Sequence, residues 1–269
     1  MNLAVIIPAA GSSRRYSESI SAETGSDLVR SKLDEDLGGR PVLQRTVELF
    51  TKVNEVSTII VAGPADSSAF AAFKDRHADK LGLLGVRLCQ GGATHRYETV
   101  RNALALVPDS CTHVAVHDAA RPCVSLELIE RILRAAEHHA AVIPGLDVPD
   151  TLKRVAAETV VAPSDPLAGI LGGDPRPLGR PVEATIDRTR VVSIQTPQVF
   201  SRDLLRRAYA QNDLGSTDDA QLVERLCEPV LVVPGESTNI KITHAPDLRL
   251  ARMILNVKPP LEKPASMRF

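Results

Sequence analysis

The sequence predicts an α/β fold: a Rossmann-like, mostly parallel sheet with helices on both faces, plus a protruding β-arm. Three observations carry this expectation. Leu3–Ala10 reads LAVIIPAA, a continuous apolar run that ends in a Gly-Ser turn, as suits a strand buried on both faces. Similar runs return at Ser57–Gly63, Val86–Cys89, His113–His117 and Ala140–Pro144. Helix-like stretches alternate with them: Val42–Val53, Ser67–Leu81, Tyr97–Leu106 and Leu126–His138. The C-terminal part continues with Val191–Gln195, helical Arg202–Ala210, helical Asp218–Leu226, Pro229–Val233 and helical Pro246–Asn256.

Two stretches break the rhythm. Tyr16–Arg30 is polar and without period, and reads as a long mobile loop. Leu146–Arg190 opens and closes on β-like pieces, Thr151–Val155, Thr159–Ala162 and Val182–Ile186. Its middle, Pro163–Pro181, is crowded with Gly and Pro, as in an extended arm with a flexible insert. The expected organisation is one domain over residues 1–256, with the β-arm 146–190 inserted and a frayed tail over 257–269.

Composition excludes several classes. Lys and Arg total 32 against 33 Asp and Glu, so no basic surplus supports nucleic-acid or membrane-surface binding. Aromatics are 3% of the chain and Trp is absent, which argues against a base-stacking platform. The four Cys form no C-x-x-C pair, so reduced thiols in a cytoplasmic protein are expected. No apolar run reaches the length of a membrane span. Leu3–Ala10 is short and lacks a basic flank, unlike a secretory signal.

In open α/β sheets, ligands gather beyond the carboxyl ends of the strands. The first such loop is Ala9-Ala10-Gly11-Ser12-Ser13-Arg14-Arg15, small residues that let backbone N–H groups approach phosphate, followed by cations. Then come Gly91-Gly92-Ala93-Thr94-His95-Arg96, His117-Asp118-Ala119-Ala120-Arg121-Pro122, Gln195-Thr196-Pro197-Gln198, Ser216-Thr217-Asp218-Asp219 and Asn239-Ile240-Lys241-Ile242-Thr243. This set fits a polyphosphate substrate, with carboxylates available for a divalent metal. The chain has no G-x-x-x-x-G-K-[ST], no G-x-G-x-x-G after the first run, no G-x-S-x-G and no H-E-x-x-H.

Taken in order, PAAGSSRR, Lys32, GGATHR, VHDAARP, DTLKR, TPQVF, STDDAQLVE and NIKITHAPDL resemble the 2-C-methyl-D-erythritol 4-phosphate cytidylyltransferases of the non-mevalonate isoprenoid pathway. The resemblance runs from residue 3 to about residue 255, and ribitol-5-phosphate cytidylyltransferases share most of these motifs. It implies cytidylyl transfer from CTP to a polyol phosphate, with Mg2+ and a homodimer joined through the arm. By resemblance, Arg15, Lys32 and Lys241 are the catalytic cations, and Ala9, Ala10, Gly11, Gly92, Ala93, Arg96 and Thr99 bind the nucleotide. Asp118, Arg121, Thr151, Arg188, Thr196 and Thr217 are the acceptor-binding set, and no metal ligands are assigned. The chain departs from the family at Ser13, where a glycine is usual, and at Ser31-Lys32-Leu33-Asp34, which replaces Pro-Lys-Gln-Tyr. A non-catalytic nucleotide-binding relative is the other reading. Blander roles stand beside these. Asp118 and Thr217-Asp218 could cap helices, and Lys241 between two isoleucines could alternate outward on a strand. His117 and the cysteines read as core.

Overall fold

Leu3, Val5 and Ile7 join one hydrophobic cluster while Ala4 and Ile6 join another, so strand β1 (Leu3–Pro8) is buried on both faces. The two-residue period of a strand produces this division. The structure, a computed structural model, describes residues 1–25, 29–161 and 177–259. After β1 come α1 (Arg14–Thr24), α2 (Val42–Phe50), β2 (Val56–Gly63), α3 (Ser67–Gly82), β3 (Val86–Gln90), α4 (Arg96–Leu104), β4 (His113–Val116), α5 (Leu126–Ala136) and β5 (Ala141–Asp147). The arm carries β6 (Leu152–Val155), β7 (Val160–Val161), β8 (Pro177–Gly179) and β9 (Val182–Ile186). Then follow β10 (Val192–Ile194), β11 (Gln198–Ser201), α6 (Arg202–Tyr209), α7 (Ala220–Glu224), β12 (Leu231–Pro234) and α8 (Ala245–Ile254).

The main sheet has the order β10-β5-β11-β4-β1-β2-β3, with β12 also paired to β5. β1 runs parallel to β2 and β4, β2 to β3, and β12 to β5, whereas β11 is antiparallel to both neighbours. Buried residues of α2, α3, α5 and α8 form one core layer, and those of α4, α6 and α7 form the other. The expected doubly covered sheet is therefore present. Its loops at the strand carboxyl ends are where the small and charged motifs fall.

Met1–Gly145 with the described residues from Ile194 onward form one compact unit, and Leu146–Ser193 a second. Within the second unit, β6 pairs antiparallel with β9, and β7 with β8. The central part of the expected insert, 162–176, the tail from 260, and residues 26–28 lie outside the described residues.

Four expectations are corrected. Tyr16–Arg30 begins as helix α1, not as a loop. Tyr16 and Ile20, one turn apart, reach the core, and this narrow stripe is masked by the Ser and Glu around it. Gly25, at φ +66°, ends the helix, and the Ser17 hydroxyl holds both backbone groups of Arg30. β11 was not expected: its two apolar residues, Val199 and Phe200, are adjacent, flanked by the polar Gln198 and Ser201, and follow directly on Pro197. Residues 239–243 form no strand. Lys241 still faces outward because the Ile242 N–H bonds the Ala120 carbonyl (2.8 Å) and its side chain is fully buried. Asp118 caps no helix; Ser125 caps α5, accepting from Leu128 N at 2.9 Å.

Candidate active site

Two clefts meet at the carboxyl ends of the central strands. The first, about 590 Å³, is lined by Ala9 to Arg15, Lys32, Gly92, Ala93, Arg96, Thr99, Asp118 and Lys241. The second, about 480 Å³, is lined by Arg121, Thr196, Gln198, Thr217, Asp218, Gln221 and Glu224. Arg96, Asp118 and Lys241 line both, so the two clefts share one wall.

The first loop leaves β1 with the Ala9 N–H on the Ala62 carbonyl (2.7 Å) and turns into α1 at Ser13. Gly11 has open space where a side chain would stand, which leaves the loop accessible to a bulky anion. Ser13 occupies the left-handed region at φ +57°, and its hydroxyl accepts the Lys32 N–H at 3.2 Å. The phosphate loop and the Lys32 segment are thereby tied together. Arg14 is drawn to Glu18 on the helix surface, whereas Arg15 lines the cleft with no ion pair among the described residues.

The Gly91-Gly92 loop is built by close approach. A Cβ on Gly92 would fall 2.1 Å from the Glu98 Cβ, so no side chain fits there. Gly92 N–H donates to the buried Thr99 hydroxyl (3.0 Å), and the Glu98 carboxylate accepts from Thr94 N and His95 N at 2.9 and 3.1 Å. Thr99 thus shapes the loop as well as lining the cleft.

Asp118 is the electrostatic centre of the shared wall. Lys241 Nζ lies 2.9 Å from its Oδ2, Arg121 Nε 3.2 Å from the same oxygen, and Arg96 Nε 3.8 Å from Oδ1. Burial alone would raise the carboxyl, but Lys241, Arg96 and Arg121 together hold it well below the usual carboxylate range. Arg96 also pairs with the buried Asp219 at 2.8 Å, and the Tyr209 hydroxyl donates to that carboxylate. Burial opposes the Arg96 charge, yet Asp219 and Asp118 over-compensate and raise its pKa.

Thr196 and His117 fix this wall from behind. His117 Nε2 bonds the Arg121 carbonyl at 3.1 Å, so that nitrogen carries the hydrogen and Nδ1 accepts from the Thr196 hydroxyl (3.2 Å). Burial holds the imidazole down to about 4, which keeps it neutral and preserves this arrangement. Thr196 Oγ1 in turn accepts from Asp118 N at 3.0 Å. The Thr196 hydroxyl is engaged on both sides, and it acts on the wall.

Lys32, from an irregular turn far away in sequence, donates from Nζ to the Ile242 carbonyl at 2.7 Å. It therefore stands beside Lys241. Burial first, and the Lys241 charge second, bring its pKa down to about 8. Among the described residues, Arg14, Arg15, Lys32, Arg96 and Lys241 thus line the first cleft against one carboxylate, Asp118. A cavity with this surplus of positive charge attracts a polyanion.

In the second cleft Thr217 is exposed, with its hydroxyl 3.4 Å from Gln221 Oε1. Asp218 caps α7 from two residues before it, accepting Gln221 N at 3.1 Å, and is held by Gln198 Nε2 at 2.7 Å. The structure brings together every sequence-predicted residue of the main unit. Thr151 and Arg188 lie in the arm unit. There the Arg188 guanidinium bonds the Val148 carbonyl at 3.1 Å and also that of Pro149.

Sequence reasoning placed Asp219 and Gln198 in candidate loops without assigning them a role, and missed Tyr209. The second Asp of STDDAQLVE was the available signal for the first, being an acidic residue followed directly by a buried helix face.

Comparisons with known proteins identify relatives over almost the whole chain. A family model described as 2-C-methyl-D-erythritol 4-phosphate cytidylyltransferase matches residues 3–170 and 179–257. The chain is 34% identical over 258 residues to the protein of that name from Solibacter usitatus, covering 95% of this chain and 96% of the relative. It is 37% identical over 256 residues to the one from Symbiobacterium thermophilum, with 94% and 92% covered. Among solved structures, the 2-C-methyl-D-erythritol 4-phosphate cytidylyltransferase of Thermus thermophilus superposes with a TM-score of 0.65 at 32% identity, covering 96% of this chain and all of that one. The 4-diphosphocytidyl-2C-methyl-D-erythritol synthase of Anaerococcus prevotii gives 0.69 at 27%, covering 95% and 96%.

Proposed function

The chain belongs to the 2-C-methyl-D-erythritol 4-phosphate cytidylyltransferase family, and from that premise we infer how its two clefts divide the reaction. The enzyme transfers the cytidylyl group of CTP to 2-C-methyl-D-erythritol 4-phosphate, releasing pyrophosphate, in isoprenoid precursor synthesis. The single observation that carries the division is the shared wall of Arg96, Asp118 and Lys241 between a cation-rich cleft and a more mixed one.

CTP occupies the first cleft. The backbone of Ala9, Ala10 and Gly11 cradles the triphosphate, and the Gly92-Ala93 loop, with Thr99 behind it, receives the base. The acceptor occupies the second cleft against Asp118, Arg121 and Thr217. An oxygen of its phosphate attacks the α-phosphorus of CTP. That P–O bond forms as the bond to the β-phosphate breaks, and the displaced charge leaves on pyrophosphate. The attacking phosphate is already anionic, so the residues supply position and charge neutralisation rather than a base. Arg15, Lys32 and Lys241 stabilise the charge that gathers on the departing phosphates.

A magnesium ion fits this site as a phosphate-borne ion. Asp118 is the one carboxylate among the described residues of the first cleft, and its charge is shared among three side-chain cations, so it would supply at most one ligand. Bound there, the ion would further neutralise the triphosphate. The cytoplasmic setting expected from the unpaired cysteines is part of this reading. No described helix is long and apolar enough to cross a membrane.

The arm completes the site of a second subunit, bringing Thr151 and Arg188 to the acceptor, with Arg188 on its phosphate. Exposed Val160, Val161, Leu178 and Val182 give the arm the apolar surface that a homodimer would cover. Subunit complementation tests this. Lys32→Ala subunits have an intact arm, and Arg188→Ala subunits have an intact cleft. Mixed and reannealed in equal amounts, they should recover about a quarter of wild-type activity: about half the dimers are mixed, each with one intact site. Activity no greater than that of the separate variants refutes sharing of the arm.

A further inference from the structure

Lys32 sits on a turn, Ser31–Asp34, that has no regular secondary structure to hold it. Its ammonium is held by the Ile242 carbonyl and drawn by Asp118, while the like charges of Lys241 and Arg15 press against it. Where it stands therefore depends on how the turn is anchored. Upstream, the Ser13 hydroxyl takes the Lys32 N–H, but Ser13 belongs to the phosphate loop itself. Downstream, the Leu33 and Glu35 carbonyls receive Leu43 N–H (3.1 Å) and Val42 N–H (3.0 Å) at the start of α2.

The side chain of Asp34 adds a third anchor, to a different helix. Its Oδ1 lies 2.7 Å from His77 Nε2, and its Oδ2 lies 3.0 Å from Arg76 Nε, both on α3. His77 is itself buried, with its ring 4.7 Å from that of Phe73, which belongs to the core. Each carboxylate oxygen has its own partner, so the bond fixes the orientation of the turn as well as its distance from α3. Asp34 neighbours Lys32 in the segment where this chain departs from its family's usual Pro-Lys-Gln-Tyr.

We propose that Asp34 is a positioning residue for this reaction: held by His77 and Arg76, it pins the turn that presents Lys32 to the triphosphate. The inference rests on the role assigned to Lys32 above.

The test is Asp34→Ala in the full-length enzyme, alone and combined with Lys32→Ala, with kcat, both KM values and thermal stability measured. Positioning through Lys32 predicts a kcat lower by about tenfold, with the acceptor KM within about twofold of wild type. In the Lys32→Ala background the same substitution moves kcat by less than about twofold, while the loss of thermal stability is equal in both backgrounds. An equal kcat loss in both backgrounds overturns the proposal, because Asp34 would then act on the fold at large. So does a wild-type kcat in the single variant. Should Asp34→Ala fail to fold, Arg76→Ala, on a half-exposed side chain, carries the same cycle with a loss of roughly threefold. A Lys32→Ala enzyme at wild-type rate, whatever Asp34 does, removes the assigned role of Lys32 and the inference with it.

Discussion

CTP binding should draw a proton onto Lys32. The half-buried ammonium donates to one carbonyl, that of Ile242, and stands near two other cations. Desolvation, then Lys241, brings its pKa down to about 8 from the ordinary 10.5, with Asp118 opposing the fall. About half of the free enzyme therefore carries a neutral Lys32 at pH 8. The triphosphate supplies the missing counter-charge, and the bound enzyme carries the ammonium. Binding then takes up about half a proton per site at pH 8 and about a tenth at pH 7. With the bound value well above 9, linkage makes the Kd for CTP rise about tenfold from pH 7 to pH 9.

The effect on stability has the opposite sign. A lysine whose folded pKa lies below its unfolded one imposes its cost below pH 8. That cost relaxes as pH rises from about 8 towards 10.5, so the free enzyme gains from this group while it loses CTP. Isothermal titration calorimetry at pH 8, in two buffers of different ionisation enthalpy, reads the proton count directly. No net uptake, or an unchanged uptake in Lys32→Ala, refutes the reasoning.

Lys32→Ala should lower kcat at least a hundredfold, about 3 kcal/mol of lost transition-state stabilisation, as read by steady-state pyrophosphate release. Arg188→Ala should raise the acceptor KM far more than that for CTP; if acceptor KM and kcat are both unchanged, the arm assignment fails. Gly92→Ala forces a Cβ to within 2.1 Å of that of Glu98. It should cost about 1–3 kcal/mol in thermal unfolding and weaken CTP binding at least about fivefold. Ser13→Gly exchanges roughly 1 kcal/mol of left-handed strain for one hydrogen bond of similar worth. Melting temperature should therefore barely move, while kcat falls about threefold through the loosened Lys32 turn.

The sheet was legible in the sequence because its strands are apolar on both faces and its helices carry broad stripes. α1 was not, because Tyr16 and Ile20 alone mark its buried side among polar neighbours. β11 escaped because its only apolar residues, Val199 and Phe200, are adjacent between polar Gln198 and Ser201 and neither alternate nor form a run. The site was legible where motif and chemistry coincide, as at Arg15, Lys32, Asp118 and Lys241. What stayed hidden was the support behind it. Whether Thr196 faces a ligand or a histidine depends on His117, whose neutral ring accepts the threonine proton only because burial denies it a charge. Asp219 and Tyr209 hold Arg96 through contacts between segments far apart in the chain, and Asp34 finds its partners on α3, 42 and 43 residues further along. Pairings of that kind arise from tertiary packing and have no local signature.

The most direct test of the central claim is acceptor-dependent pyrophosphate release from CTP with magnesium. 2-C-methyl-D-erythritol 4-phosphate, ribitol 5-phosphate and no acceptor are compared in parallel. The two-cleft account predicts rapid release with 2-C-methyl-D-erythritol 4-phosphate alone. Release with ribitol 5-phosphate instead, or release no faster than without an acceptor, would contradict it.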